Sequence, residues 1–124
     1  RNYLSKVQRY SRVYNNFNSI SHREDFAKAC LDLWDRRAPF GIYNVTNTGW
    51  VTTRQVVEKV QALLRLDRKF EYFENDAEFY KTAAQTPRSN CILDTSKLLA
   101  TGVRVRSVEE ALDESLRNWV PEAK

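Results

Sequence analysis

At three candidate helix starts along this chain a serine or threonine is followed, three residues later, by glutamate or glutamine: Ser21 with Glu24, Thr52 with Gln55, and Ser107 with Glu110. Such a pair satisfies two backbone donors that a helix start leaves orphaned, and each here opens a run of apolar residues at helical spacing. The first predicts a helix to about Arg37, closed by Pro39, with Phe26, Ala27, Cys30, Leu31, Leu33 and Trp34 facing inward. The second carries Val56, Val57, Val60, Leu63 and Leu64 on one stripe. The third carries Ala111, Leu112, Leu116 and Trp119, and Pro121 ends it. Leu4, Val7 and Tyr10 predict a further helix that ends near Tyr14. Asn75 can cap a short helix through Phe79 and Tyr80, and Asp94 one over Thr95 to Thr101, with Gly102 as its stop.

Against these helices stand two strand candidates. Gly41 to Thr46 is β-branched, aromatic and bounded by turn residues, and Lys69 to Phe73 alternates with Phe70 and Tyr72 on one face. The expected class is therefore α/β, mostly helical, with two or three short strands. So few strands do not build an independent doubly wound sheet, so they are expected to be edge pieces completed by strands from elsewhere.

With 124 residues the chain suits one domain. No apolar stretch is long enough to span a bilayer and no signal-peptide core follows Arg1, so a cytoplasmic protein without membrane contact is expected. The net charge is +4, yet Lys and Arg are spread among acids without a polybasic run, so nucleic acid is not the expected partner. Cys30 and Cys91 form no metal-type pair, and His22, the single histidine, has no second histidine to share a metal.

Three ordered stretches carry a resemblance. They are Asn18 to Phe26, leading into a helix; Gly41 to Asn47, with Val51-Thr52-Thr53 opening the next helix; and Pro87-Arg88-Ser89-Asn90-Cys91-Ile92-Leu93-Asp94-Thr95-Ser96-Lys97-Leu98. Together they resemble the carboxyl-terminal third of extended short-chain dehydrogenases/reductases of the NAD-dependent epimerase/dehydratase type. The nearest likeness is to dTDP-4-dehydrorhamnose reductases and nucleotide-rhamnose synthases. The resemblance implies a Rossmann-type parent whose amino-terminal dinucleotide-binding part is missing here. Residues 1–17 would be a lead-in helix from that part, and 18–124 the substrate-binding lobe. It implies a UDP- or dTDP-hexose as ligand, with Arg88 and Asn90 reaching the diphosphate and Ser21 and His22 at a junction beside the sugar. A guanidinium suits that task because its planar fork pairs with two phosphate oxygens. Ser21 also has a structural role as a cap, and asparagine is a common turn former.

Hydride chemistry in the resembled family uses a tyrosine with a lysine four residues on, and no tyrosine here has that partner. Gly41, Gly49 and Gly102 do not make the glycine-rich turn that lets backbone amides approach a pyrophosphate. The parent is thus expected to use NAD or NADP, this chain to hold neither, and no catalytic residue or metal ligand is assigned to it. Two alternatives remain at this level. One is a non-catalytic interaction module that self-associates through an exposed apolar flank. The other is a basic anion- or nucleic-acid-binding domain.

Overall fold

The computed structural model describes residues 2–84, 86 and 89–121. In chain order the elements are α1 (Tyr3–Val7), β1 (Arg12–Val13), β2 (Phe17–Asn18), α2 (Arg23–Asp35), β3 (Val51–Thr52), α3 (Thr53–Leu63), β4 (Glu71–Tyr72), α4 (Asp76–Thr82), α5 (Ser96–Ala100) and α6 (Val108–Arg117). The α/β, mostly helical class is as expected. The capping boxes at Thr52/Gln55 and Ser107/Glu110 are both formed, and Asn75 accepts the Glu78 N–H to start α4. Gly102 stops α5 at φ +88°, a left-handed conformation that glycine adopts without a Cβ penalty.

The strands differ from expectation. Four two-residue strands form two separate ladders, β1 with β4 in parallel and β2 with β3 antiparallel. Arg12–Val13, expected within the first helix, is strand because it pairs with Glu71–Tyr72; the helix ends at Val7. The stretch 41–46, expected as a strand, has no ladder. Its residues Tyr43 and Val45 do pack inward, but a strand also needs a neighbour, and none of the described residues supplies one. Residues 90–93 lie along the other edge of β2, with Ser19 N–H donating to Cys91 O and Cys91 N–H to Phe17 O.

The core sits between α3 and α6. Val56 and Val60 from the first meet Val108, Leu112 and Leu116 from the second, joined by Leu4 and Val51. Each fully buried aliphatic side chain there contributes roughly 1.5–3 kcal/mol relative to exposure. Val7, Val13, Val57 and Phe70 make a second cluster under the β1–β4 ladder. Ala29, Leu98 and Val103 make a third, with Leu33, Tyr43, Val45 and Val105 against it.

α2 departs most from its expected face. Ala29 is its one buried residue and Leu33 packs partly, whereas Phe26, Ala27, Cys30, Leu31 and Trp34 are exposed. The inward arc is the one through positions 29 and 33, and the wider apolar arc beside it is left exposed by the described residues. The start of α2 also differs by one residue. His22, not Ser21, is the cap, its Nδ1 accepting the Asp25 N–H, while Ser21 Oγ donates to Val45 O. Likewise the residue before α5 is Thr95, and Asp94 works from one position earlier by accepting the Ser96 N–H at 2.8 Å.

Candidate functional site

A cleft of about 760 Å³ opens between α1, the start of α2, the turn at Asn47 and the length of α6. Ser21 and His22 stand on one wall, Leu112, Ser115 and Trp119 on another. The wall that carries His22 is fixed from beneath by Asn47, which is 1% exposed. Asn47 Oδ1 accepts the His22 N–H at 2.7 Å, its Nδ2 donates to Asp25 Oδ2 at 2.7 Å and to Arg106 O at 3.3 Å, and its own N–H donates to Ile20 O. One amide thus ties together the entry to α2, its first turn and the entry to α6.

Charge completes the arrangement. Arg106 Nε donates to Asp25 Oδ2 at 2.7 Å, and its Nη1 pairs with Glu114 of α6. Desolvation pushes the Asp25 carboxyl upward, but the hydrogen bonds from Arg106 and Asn47, with the charge of Arg106, outweigh it and hold the group below the ordinary carboxylate range. Asp25 Oδ1 lies 3.5 Å from His22 Nδ1. The result is a braced, hydrogen-bonding wall beside apolar surface, suited to orienting a ligand. Among the described residues no His, Cys, Asp and Glu group is placed to hold a metal ion.

The expected site residues do not all meet in this cleft. Ser21 and His22 line it, whereas Asn90 does not. Asn90 Oδ1 accepts the Phe17 N–H at 2.9 Å, which pins the loop to the outer edge of β2. Arg88 lies outside the described residues. Sequence reasoning missed Asn47, Asp25 and Arg106. Asn47 reads as a turn residue, Asp25 as a first-turn helix acid, and Arg106 as one of many surface cations. Nothing local marks them, because their partners come from distant segments.

Fold and site together define a mostly helical α/β lobe with a hydrogen-bonding cleft, incomplete ladders and a broad uncovered apolar face. Its homologues are UDP-rhamnose synthase- and dTDP-4-dehydrorhamnose reductase-type proteins, aligned over 90% of this chain. A trifunctional UDP-glucose 4,6-dehydratase/UDP-4-keto-6-deoxy-D-glucose 3,5-epimerase/UDP-4-keto-L-rhamnose-reductase of Arabidopsis thaliana is 28% identical over 112 residues, which is 16% of its own length. A bifunctional dTDP-4-dehydrorhamnose 3,5-epimerase/dTDP-4-dehydrorhamnose reductase of the same plant is 29% identical over 112 residues, 36% of its length. The chain therefore spans well under half of these relatives. The crystal structure of a UDP-rhamnose synthase from Acanthamoeba polyphaga mimivirus has the same fold, with a TM-score of 0.77 at 20% identity over 93% of this chain and 39% of that one. No family profile matches the chain. The resemblance to rhamnose synthases and reductases read from the three sequence stretches is borne out. Among the described residues no helix is long and apolar enough to cross a membrane.

Proposed function

We propose that this chain is the carboxyl-terminal, substrate-binding lobe of an NAD(P)-dependent sugar-nucleotide reductase, epimerase or dehydratase of the cytoplasm, and that it turns nothing over by itself. Residues 1–17 lead in from the dinucleotide-binding part, and 18–124 hold a UDP- or dTDP-hexose. Arg88 and Asn90 serve the diphosphate; Ser21 and His22 serve the sugar.

One observation carries this proposal. Phe40 is 99% exposed, Ile42 87% and Trp34 76%, while Tyr43 and Val45, alternating with Ile42, pack onto the third core cluster. A segment buried on one side and apolar on the other has the pattern of a strand inside a two-sided layer, and a Rossmann-type sheet is such a layer. The relatives supply the chemistry, since their names describe reactions on UDP- and dTDP-linked sugars. The nicotinamide cofactor does not fit the residues present. Gly41, Gly49 and Gly102 stand far apart in the chain, and none of them forms a glycine-rich strand-to-helix turn. No step through the cofactor is therefore assigned to this lobe. The same bare face favours self-association of the chain when nothing covers it.

Calorimetric titration with UDP-glucose and dTDP-glucose, against a single-stranded oligonucleotide, tests the proposal. Saturable binding of a sugar nucleotide, weakened about tenfold or more by Arg88→Ala, supports it. Binding of the oligonucleotide with a steep salt dependence, and of no sugar nucleotide, overturns it.

A further inference from the structure

The two ring nitrogens of His22 have separate tasks. Nδ1 is the acceptor that caps α2, facing the Asp25 N–H at 3.5 Å. A neutral imidazole that accepts at Nδ1 carries its proton at Nε2. A neutral ring protonated at Nδ1 instead would take away the acceptor of that first-turn amide. A fully protonated ring turns Nδ1–H toward Asp25 Oδ1, also 3.5 Å away, and again carries a proton at Nε2. Nε2 thus carries a proton both in the neutral ring that caps through Nδ1 and in the charged ring. Its place is set by the buried Asn47, which holds the His22 backbone N–H at 2.7 Å and is itself fastened to Ile20, Asp25 and Arg106.

The cleft in front of this ring is poor for phosphate. Its charged linings are Arg23, Glu24 and Glu114, and Glu114 is already paired with Arg106. Arg23 and Glu24 offset each other, so the lining offers no surplus of positive charge to hold a dianion. The remaining polar linings are neutral, among them Asn2 and Asn118, and they alternate with the aromatic surfaces of Tyr3 and Trp119. Neutral amides beside aromatic rings suit a polyhydroxylated ring, which presents both hydroxyl oxygens and apolar C–H faces.

We infer that His22 Nε2–H is a standing hydrogen-bond donor to an oxygen of a hexosyl group lodged in this cleft, and that Asn47 is the residue that positions it, an inference that rests on the sugar-nucleotide role proposed above. The diphosphate is then bound elsewhere on the lobe, and the cleft selects for the sugar end of the ligand.

His22 is the single histidine, so its ring signals identify themselves in a nitrogen-15 NMR experiment on the whole chain. The expected result is the Nε2–H tautomer at neutral pH, with ring signals that move on adding UDP-glucose and stay still on adding UDP. His22→Asn keeps an oxygen where Nδ1 stood, a strong helix cap, and has nothing at Nε2. It is expected to fold, to bind UDP as the parent chain does, and to bind UDP-glucose about fivefold to tenfold more weakly. His22→Gln, with an amide nitrogen near the Nε2 place, is expected to recover part of that loss. Asn47→Ser is expected to weaken UDP-glucose but not UDP, and to broaden the His22 ring signals. An Nδ1–H tautomer, or equal UDP-glucose binding by His22→Asn and the parent chain, overturns the inference while leaving sugar-nucleotide binding intact. Failure of the parent chain to bind either UDP-glucose or UDP overturns the sugar-nucleotide role itself, and the hexosyl assignment with it.

Discussion

Asn47 Nδ2 lies 2.7 Å from Asp25 Oδ2, so a buried amide and a first-turn carboxylate of α2 are directly joined. Asn47→Ala removes that donor and also leaves the His22 N–H without its acceptor. An orphaned buried group costs more than the mean value of a hydrogen bond, so the expected loss is about 2–3 kcal/mol in urea unfolding with an unchanged m value. Asn47→Asp sets a second carboxylate against Asp25. It is expected to be less stable than Asn47→Ala at neutral pH and to recover relative to it as the solution is acidified and one of the two acids takes a proton.

Acid sensitivity should trace in part to Asp25. Its folded carboxyl titrates below the ordinary value because Arg106 and Asn47 prevail over desolvation. A depressed folded pKa means that below about pH 3.9, the ordinary aspartate value, the unfolded chain binds the extra proton first. The contribution is therefore whole above that pH and is lost as pH falls through the lower, folded value. Glu78, held low by the Glu74 N–H and by Arg12, and Asp94, held low by the Ser96 N–H, act with the same sign. Urea midpoints measured down the acid limb should fall, and Asp25→Asn should flatten part of that fall. An unaltered limb in Asp25→Asn would remove Asp25 from the account.

Caps give a sharper contrast. Thr52→Ala and Ser107→Ala each break a complete capping box and should cost about 1 kcal/mol. Ser21→Ala should cost less, about 0.5 kcal/mol, because Ser21 Oγ donates to Val45 O and caps nothing. Thermal unfolding of the three variants separates the cap assigned to His22 from the one that the Ser21/Glu24 spacing suggests.

That spacing illustrates what was legible. The starts of α3, α4 and α6 could be read because a cap depends on residues three apart. Ser21 and His22 both precede the same apolar run, and which of them caps α2 depends on Asn47 holding the His22 N–H, a contact no local pattern records. The strands were harder still. Arg12 and Val13 look helical beside Val7 and Tyr10, yet they pair with Glu71 and Tyr72 from the other half of the chain. Stretch 41–46 has strand composition and no ladder among the described residues. For α2 the sequence announced an apolar face through Phe26, Cys30 and Trp34, but periodicity says how wide a face is and not what covers it. In the site, the sugar-side junction at Ser21 and His22 came from the resemblance. The brace of Asn47, Asp25 and Arg106 is tertiary, and became visible once the three segments were brought together.

The uncovered face makes the last prediction. Trp34 is largely exposed on α2, and Leu98, on the other side of the third cluster, is fully buried against Ala29 and Val103. Leu98→Ala should therefore cost about 2–5 kcal/mol, from lost burial and the cavity left behind. Trp34→Lys should change the stability of the monomer by no more than about 0.5 kcal/mol, since the Trp34 side chain is largely exposed. Its effect should appear in sedimentation velocity instead. The parent chain should associate as its concentration rises, because Trp34, Phe40 and Ile42 together present apolar surface to water, and Trp34→Lys should shift it toward monomer. A loss of stability in Trp34→Lys comparable to that of Leu98→Ala would mean that the face is covered within this chain, and the need for a companion layer would disappear with it.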